Sequence, residues 1–176
     1  MIKVSIVILN WNSDNYLKDC LKAICAQSFK DFEVIFVDNG SSNGSLEEVK
    51  KAYPTFIYVE NNLNYGFARG MNIGISHAQG EYVLLLNTDV YLDSNYLEEC
   101  VKALDCDCTL GCVAGVEYPW KNGKLLQSTY SSGALGIKLH LQLGDMGIVD
   151  GYTFGVSGSF PIYRSCLLYT SPSPRD

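Results

Sequence analysis

The chain has 176 residues, with 13 Lys and Arg against 19 Asp and Glu, a formal charge of −6. With 47% hydrophobic and 18% charged residues it has the make-up of one globular domain, which excludes a disordered or fibrous chain. An acidic balance, with a pI near 4.8, argues against nucleic acid as a partner, because gripping phosphates needs a basic surface.

The longest apolar runs, 6–9 and 83–86, are far too short to cross a bilayer. No basic segment followed by an apolar one opens the chain, so cytosol is the default expectation. Seven cysteines, at 20, 25, 100, 106, 108, 112 and 166, form no CxxC pair and have no histidine near them. Cys106 and Cys108 are the only cluster, and they lack zinc-ligand spacing. All seven are expected as free thiols of a reducing compartment.

In chain order, 4–9 is a continuous β-branched and leucine run, expected as a strand buried on both faces. Asn10, Trp11 and Asn12 break it, with Ser13 or Asp14 able to cap the first helix. Leu17, Cys20, Leu21 and Ile24 recur at helical spacing. A second buried strand, 32–37, runs into the polar loop from Asp38 and Asn39 to Gly44. Ser45, Leu46, Glu47 and Glu48 read as a capping box. A third strand at 56–59 precedes a helix over 67–78, whose Gly70 and Gly74 point to close packing. The strand 82–86 ends in Asn87, Thr88 and Asp89, and Asp93 is expected to cap a helix to about Leu104.

Beyond it, 111–116 reads as a strand, and Asn122-Gly123 between Lys121 and Lys124 as a hairpin turn. The glycine-rich segment 131–147 is expected as a loop, and 149–156 and 159–163 as strands. Alternating strands and helices predict an α/β fold, a mostly parallel sheet with helices on both faces. Ligands of such sheets bind at the carboxyl ends of the strands. Here those ends carry three polar clusters, at Asn10–Asn12, Asp38 with Asn39, and Asn87–Asp89.

Each cluster has two readings. Asp38 opens an Asp-Asn-Gly-Ser turn, where the side chain bonds to local backbone; it can equally accept the imide N–H of a uracil or thymine ring. Asn87, Thr88 and Asp89 form a capped turn or a hard-oxygen site for Mg²⁺ or Mn²⁺, with Asp89 the direct ligand. Gly66 permits a sharp entry into the third helix, whose first-turn N–H groups can receive an anion. Arg69 is a phosphate partner or a solvated helix residue. Asn72, among small residues, is expected as a buried amide that needs partners.

Four segments in order carry a resemblance: 4–12 with Asn10-Trp11-Asn12; Val37 to Ser42; 61–74 with Asn64-Tyr65-Gly66-Phe67-Ala68-Arg69 and Asn72; and 80–89. Together they resemble family 2 glycosyltransferases, most of all the rhamnosyltransferase-like branch. The resemblance implies a GT-A fold over 1–164, a nucleotide-sugar donor (dTDP-rhamnose or a UDP-hexose) and inverting transfer to a hydroxyl of a glycan or lipid-linked acceptor. It implies a setting at the inner face of the membrane, with peripheral association. By the same resemblance Asp38 reads the base, and Asn10, Trp11 and Asn12 border base and ribose. Asn39, Asn64, Gly66, Arg69 and Asn72 belong to the donor side. Asn87, Thr88 and Asp89 stand where the family has Asp-X-Asp, leaving Asp89 as the metal carboxylate. The stretch from Gly158 and Ser159 to Arg164 resembles one that lines the acceptor side.

The family's base lies in an acid pair downstream of that stretch. Here 165–176 has no such pair and shows neither periodicity nor a capping signal. It resembles a translated adaptor and is expected to be a non-native or disordered tail, leaving the donor half of a site without its base. Asp145, Asp150 and Glu117 are the remaining nearby acids, none in the family's motif. A dinucleotide-dependent dehydrogenase would want Gly-x-Gly-x-x-Gly after the first strand, where Asn10 to Asp14 holds no glycine. A pyrophosphorylase would need a glycine-rich opening loop. A non-catalytic nucleotide-sugar-binding or partner-binding module remains the alternative.

Overall fold

A computed structural model describes residues 2–13, 16–115 and 160–169, and the backbone of four short strands between them. The four apolar runs become parallel neighbours: β1 (Val4–Asn10), β2 (Phe32–Asp38), β3 (Ile57–Glu60) and β4 (Tyr82–Asn87). Their connections are α1 (Leu17–Cys25), α2 (Ser45–Ala52) and α3 (Phe67–Ile75). After β4 come α4 (Tyr96–Cys106) and β5 (Cys112–Val113). Two antiparallel pairs follow, β6 (Trp120–Lys121) with β7 (Lys124–Leu125), and β8 (Ile137–Gln142) with β9 (Ile148–Thr153). The last elements are β10 (Ile162–Arg164) and α5 (Ser165–Tyr169). The six-stranded sheet has the order β3-β2-β1-β4-β10-β5, with β10 antiparallel to both neighbours.

Side chains alternate between the sheet's faces, and both faces are apolar. Ile6, Ile8, Phe36, Leu84 and Leu86 pack with Leu17, Cys20, Leu21 and Ile24 of α1, Leu46 and Val49 of α2, and Leu97 and Leu104 of α4. Val7, Ile35, Val37 and Val83 pack on the other face against Met71 and Ile75 of α3. The expected close approach of α3 is present. A Cβ on Gly70 would lie 2.6 Å from Leu9 Cδ1, and one on Gly74 would strike Val7 Cγ1.

Several expectations are corrected. Strands β1, β2 and β4 each run one residue further than the apolar pattern, so Asn10, Asp38 and Asn87 are held in or beside the ladder. No side chain caps α1, α2 or α4 among the described residues. Helix α2 is entered through Gly44 at φ 79°, and the Ser45 hydroxyl accepts from Asn10 Nδ2 instead of capping it. Asp93, three residues before α4 begins, takes the Asn95 N–H on its Oδ1 at 3.0 Å. Segment 131–147 contains β8. Lys121 stands opposite Lys124, a register that fits a two-residue turn, while Asn122 and Gly123 themselves lie outside the described residues.

Of the segment expected as a non-native or disordered tail, Ser165–Tyr169 forms α5. Ser165 N–H donates to Glu81 O at 3.0 Å and the Tyr169 hydroxyl to Ile75 O at 2.7 Å. Leu168 packs beside the α3 face of the sheet; residues 170–176 lie outside the described residues. None of the seven cysteines is in a disulfide among the described residues, and Cys20, Cys100 and Cys112 are buried. Among the described residues no helix is long and apolar enough to cross a membrane.

Candidate functional site

The parallel register brings the polar clusters onto one rim. Asn10 pairs with Asp38 across β1 and β2, and Leu9 with Asn87 across β1 and β4. Asp38 is 3% exposed. Asn10 Nδ2 donates to its Oδ1 at 2.8 Å and the Ser41 N–H to its Oδ2 at 2.9 Å. The same Asn10 amide nitrogen meets Ser41 Oγ at 3.1 Å and Ser45 Oγ at 2.9 Å. Asn10 Oδ1 is buried without a hydrogen-bond partner among the described residues, so the amide is committed to donation toward the carboxylate. Asn12, at φ 50°, closes the turn by donating its N–H to Ser41 Oγ at 2.9 Å and accepting the Ser42 N–H at 2.8 Å. Trp11 between them is 56% exposed on the rim.

Asn39 faces inward, 1% exposed, and every polar position of its amide is used. Its Nδ2 donates to Asn64 Oδ1 at 2.8 Å and Gly66 O at 3.2 Å. Its Oδ1 accepts from Asn61 Nδ2 and the Tyr65 N–H, each at 3.1 Å. Asn64 Oδ1 also accepts the Gly66 N–H at 2.8 Å. These two asparagines shape the loop that delivers α3, and Asn39 has no polar position left for a ligand. Gly66 takes φ 81°, ψ 173° at the helix entry, a conformation a side chain disfavours. Arg69 is exposed and stacks on the Tyr65 ring at 4.2 Å. Asn72 is exposed too; the expected buried amide is not found, because residue 72 falls on the outer side of α3 while Met71 and Ile75 face the sheet.

At the end of β4, Asp89 is exposed and Asn87 and Thr88 are half-buried. Thr88 Oγ1 and Ser13 Oγ lie 2.9 Å apart, tying this turn to the β1 turn. The Cys20 thiol beneath it donates to Asn87 O at 3.6 Å. Burial, and then the Asp89 charge, push that thiol up to about 12, so it stays protonated. No three His, Cys, Asp or Glu side chains converge on a metal position among the described residues. One exposed carboxylate with neighbouring amide and hydroxyl oxygens is a set of hard-oxygen donors that could hold Mg²⁺ or Mn²⁺ only with further oxygens from a ligand or water.

The acceptor-side expectation is corrected at Arg164. Because β10 runs antiparallel to β4, Arg164 pairs with Tyr82, at the opposite end of the sheet from Asn87. Its guanidinium donates to Leu104 O, to Leu110 O at 2.7 Å and to Asp107 O at 3.2 Å, fastening the end of α4. It lies 5.5 Å from the Tyr82 ring centroid. Gly158, Ser159, Glu117 and Asp145 lie outside the described residues, and for Asp150 only the backbone, in β9, is described.

The sequence reading missed Ser41 and Ser45 as partners of Asn10. The Asp-x-x-Ser spacing of Asp38 and Ser41 was the available signal, since it is that of a side chain folding back on its own turn.

The Glycosyl transferase family 2 profile matches residues 5–164. A poly(ribitol-phosphate) beta-glucosyltransferase of Bacillus spizizenii is 33% identical over 124 residues, 65% of this chain and 20% of that protein. S. aureus TarS 1-349, in complex with UDP, superposes with a TM-score of 0.72 at 23% identity, over 94% of this chain and 48% of that one. A mannosyltransferase from Pyrobaculum calidifontis, in complex with GDP-Man and Mn²⁺, gives 0.60 at 27% identity, over 65% and 35%. The chain thus spans half or less of the proteins it resembles. On its sequence match, and with the GT-A sheet these structures share, the chain belongs to glycosyl transferase family 2.

Proposed function

We propose that this chain forms the donor side of an inverting glycosyltransferase, binding a nucleotide sugar at the carboxyl-end rim of its sheet. The observation that carries the reading is the Asn10–Asp38 pair: a carboxylate fixed by two inward donors, on the same rim as the exposed Asp89. Asp38 accepts the imide N–H of a uracil or thymine ring, and Trp11 and Asn12 border the base and ribose. Asn39 and Asn64 act through the loop they hold. Gly66 lets the first-turn N–H groups of α3 and the Arg69 side chain approach the diphosphate, and Asn72 follows on the exposed side of the same helix.

Asp89, with Asn87 and Thr88, would hold Mg²⁺ or Mn²⁺ against the diphosphate. When bound, the ion neutralises charge developing on the departing nucleoside diphosphate. The Mn²⁺ in the Pyrobaculum relative and the UDP in TarS support this reading. Resemblance to the rhamnosyltransferase-like branch favours dTDP-rhamnose, with UDP-hexoses as the other donors. A glycan or lipid-linked hydroxyl is the acceptor, met at the inner face of the membrane, with Gly158 and Ser159 on its side.

Calorimetry with UDP and dTDP, with and without Mn²⁺, tests the donor site in the chain and in Asp38→Ala and Asp89→Ala. Metal-dependent binding lost in both variants supports it; no binding by a chain that melts cooperatively overturns it.

A further inference from the structure

We infer that Ser41 is a base-reading residue, its hydroxyl donating to a ring carbonyl beside the N–H that Asp38 accepts. The inference rests on the donor-site reading and adds a residue that sets how the base is recognised.

The argument is a count of donors and acceptors. A serine hydroxyl offers one proton and two lone pairs. Ser41 Oγ accepts from the Asn12 N–H at 2.9 Å and lies 3.1 Å from Asn10 Nδ2, the longest of the three contacts that share that group's two protons. Its own proton meets no acceptor among the described residues. Asn10 cannot provide one by turning over its amide, because Oδ1 would then face an Asp38 oxygen at 2.8 Å. Ser41 is half-buried on the rim, so the proton that remains is available to whatever occupies the site.

The Asp38 carboxylate and the Ser41 hydroxyl belong to one turn, since the Ser41 N–H donates to Asp38 Oδ2 at 2.9 Å. The turn therefore presents an obligate acceptor beside a hydroxyl whose proton is uncommitted. Uracil and thymine carry a carbonyl on each side of the imide N–H, and guanine carries one beside its ring N–H. With Asp38 on the N–H, the neighbouring carbonyl is the group that matches Ser41. An extra neutral hydrogen bond of this kind changes affinity by about three- to tenfold.

The test titrates the chain with UDP, 2-thio-UDP and 4-thio-UDP in the presence of Mn²⁺, sulfur being a poor acceptor at the position it replaces. One thio analogue is expected to bind about three- to tenfold more weakly than UDP. Ser41→Ala is expected to lose the same factor for UDP and nothing further for that analogue, while Ser41→Thr keeps the hydroxyl and stays near the parent. Equal affinity of the unsubstituted chain for all three ligands overturns the inference without needing a variant. So does a Ser41→Ala loss of equal size for all three, which would mark a residue that only shapes the turn. Both outcomes leave the donor site standing as long as UDP binding needs Asp38. No binding of UDP or dTDP by the folded chain removes the donor-site reading and this inference with it.

Discussion

Asn10 and Asp38 end adjacent parallel strands directly opposite one another, and the amide of the first donates to the carboxylate of the second at 2.8 Å. Backbone pairing thus delivers a buried carboxylate and its own partner together. Asp38 receives a charge-assisted bond set by the ladder and a main-chain N–H, that of Ser41, from its own turn.

Removing that partner strands a buried charge. Asn10→Ala is expected to lower stability by about 2–3 kcal/mol, the usual cost of a lost hydrogen bond to a charged group. It shows as a lower urea midpoint at unchanged slope. Asn10→Asp sets two carboxylates against each other and is expected to be worse at neutral pH than Asn10→Ala. That difference shrinks as the pH falls and one of the pair takes a proton. A pH-independent difference between the two variants would contradict this.

Two glycines of the β2–α2 loop separate backbone strain from crowding. Gly40 and Gly44 both adopt positive φ, 77° and 79°. A Cβ on Gly40 would lie 2.8 Å from Leu63 Cα, and one on Gly44 meets nothing within 4 Å. Gly44→Ala is expected to cost about 1–2 kcal/mol from the left-handed backbone alone. Gly40→Ala costs more, because the β3–α3 loop must also give way. Thermal melts of the two variants make the comparison, and equal losses would show that Leu63 yields freely.

Arg164→Lys is expected to destabilise the chain by about 2–3 kcal/mol although it keeps the charge, because an ammonium cannot reach three carbonyls with one planar fork. Nucleotide affinity is expected to stay unchanged, since Arg164 lies at the far end of the sheet. Denaturation and calorimetry on one sample read both effects. Weaker nucleotide binding in a folded Arg164→Lys would place this residue near the site after all.

At that far end Asp105 accepts from Lys3 Nζ at 2.8 Å and from the Tyr82 hydroxyl at 2.6 Å. The Lys3 ammonium first, and then the Tyr82 hydroxyl, hold its carboxyl below the usual aspartate value of 3.8. A carboxyl depressed by folding adds stability that is complete above its unfolded pKa and fades as pH falls through the folded one. The stability difference between the parent chain and Asp105→Asn is therefore expected to be constant near neutrality and to shrink below 3.8. Asp105 is 46% exposed, so salt is expected to reduce the difference as well. Melts of both proteins along a pH series check it.

Much of this molecule was legible from local pattern. The four buried strands, the helical face of Leu17, Cys20, Leu21 and Ile24, and the tight seat of Gly70 and Gly74 all follow from hydrophobic periodicity and residue size. The rim followed as well, because a parallel sheet puts every carboxyl end on one side. Local pattern failed where a side chain had a competing partner far along the chain. Ser45 looks like a helix cap in sequence, yet its hydroxyl answers to Asn10, 35 residues earlier. Asn39 and Asn64 look like ligand-binding amides, yet they bond mostly to each other and to the loop backbone around them.

By itself the sequence determined the α/β architecture, the family and the three strand ends that meet on one rim, because these depend on residue order and on the period of apolar residues. Tertiary structure alone decided which polar groups face outward. Asp38 is immobilised, Asn39 is used up, Asn72 is exposed and the Ser41 proton is left to donate. The direction of β10, which carries Arg164 to the opposite end of the sheet, was decided there too. Both kinds of outcome depend on which distant groups come within hydrogen-bonding distance, and that is fixed only when the sheet assembles.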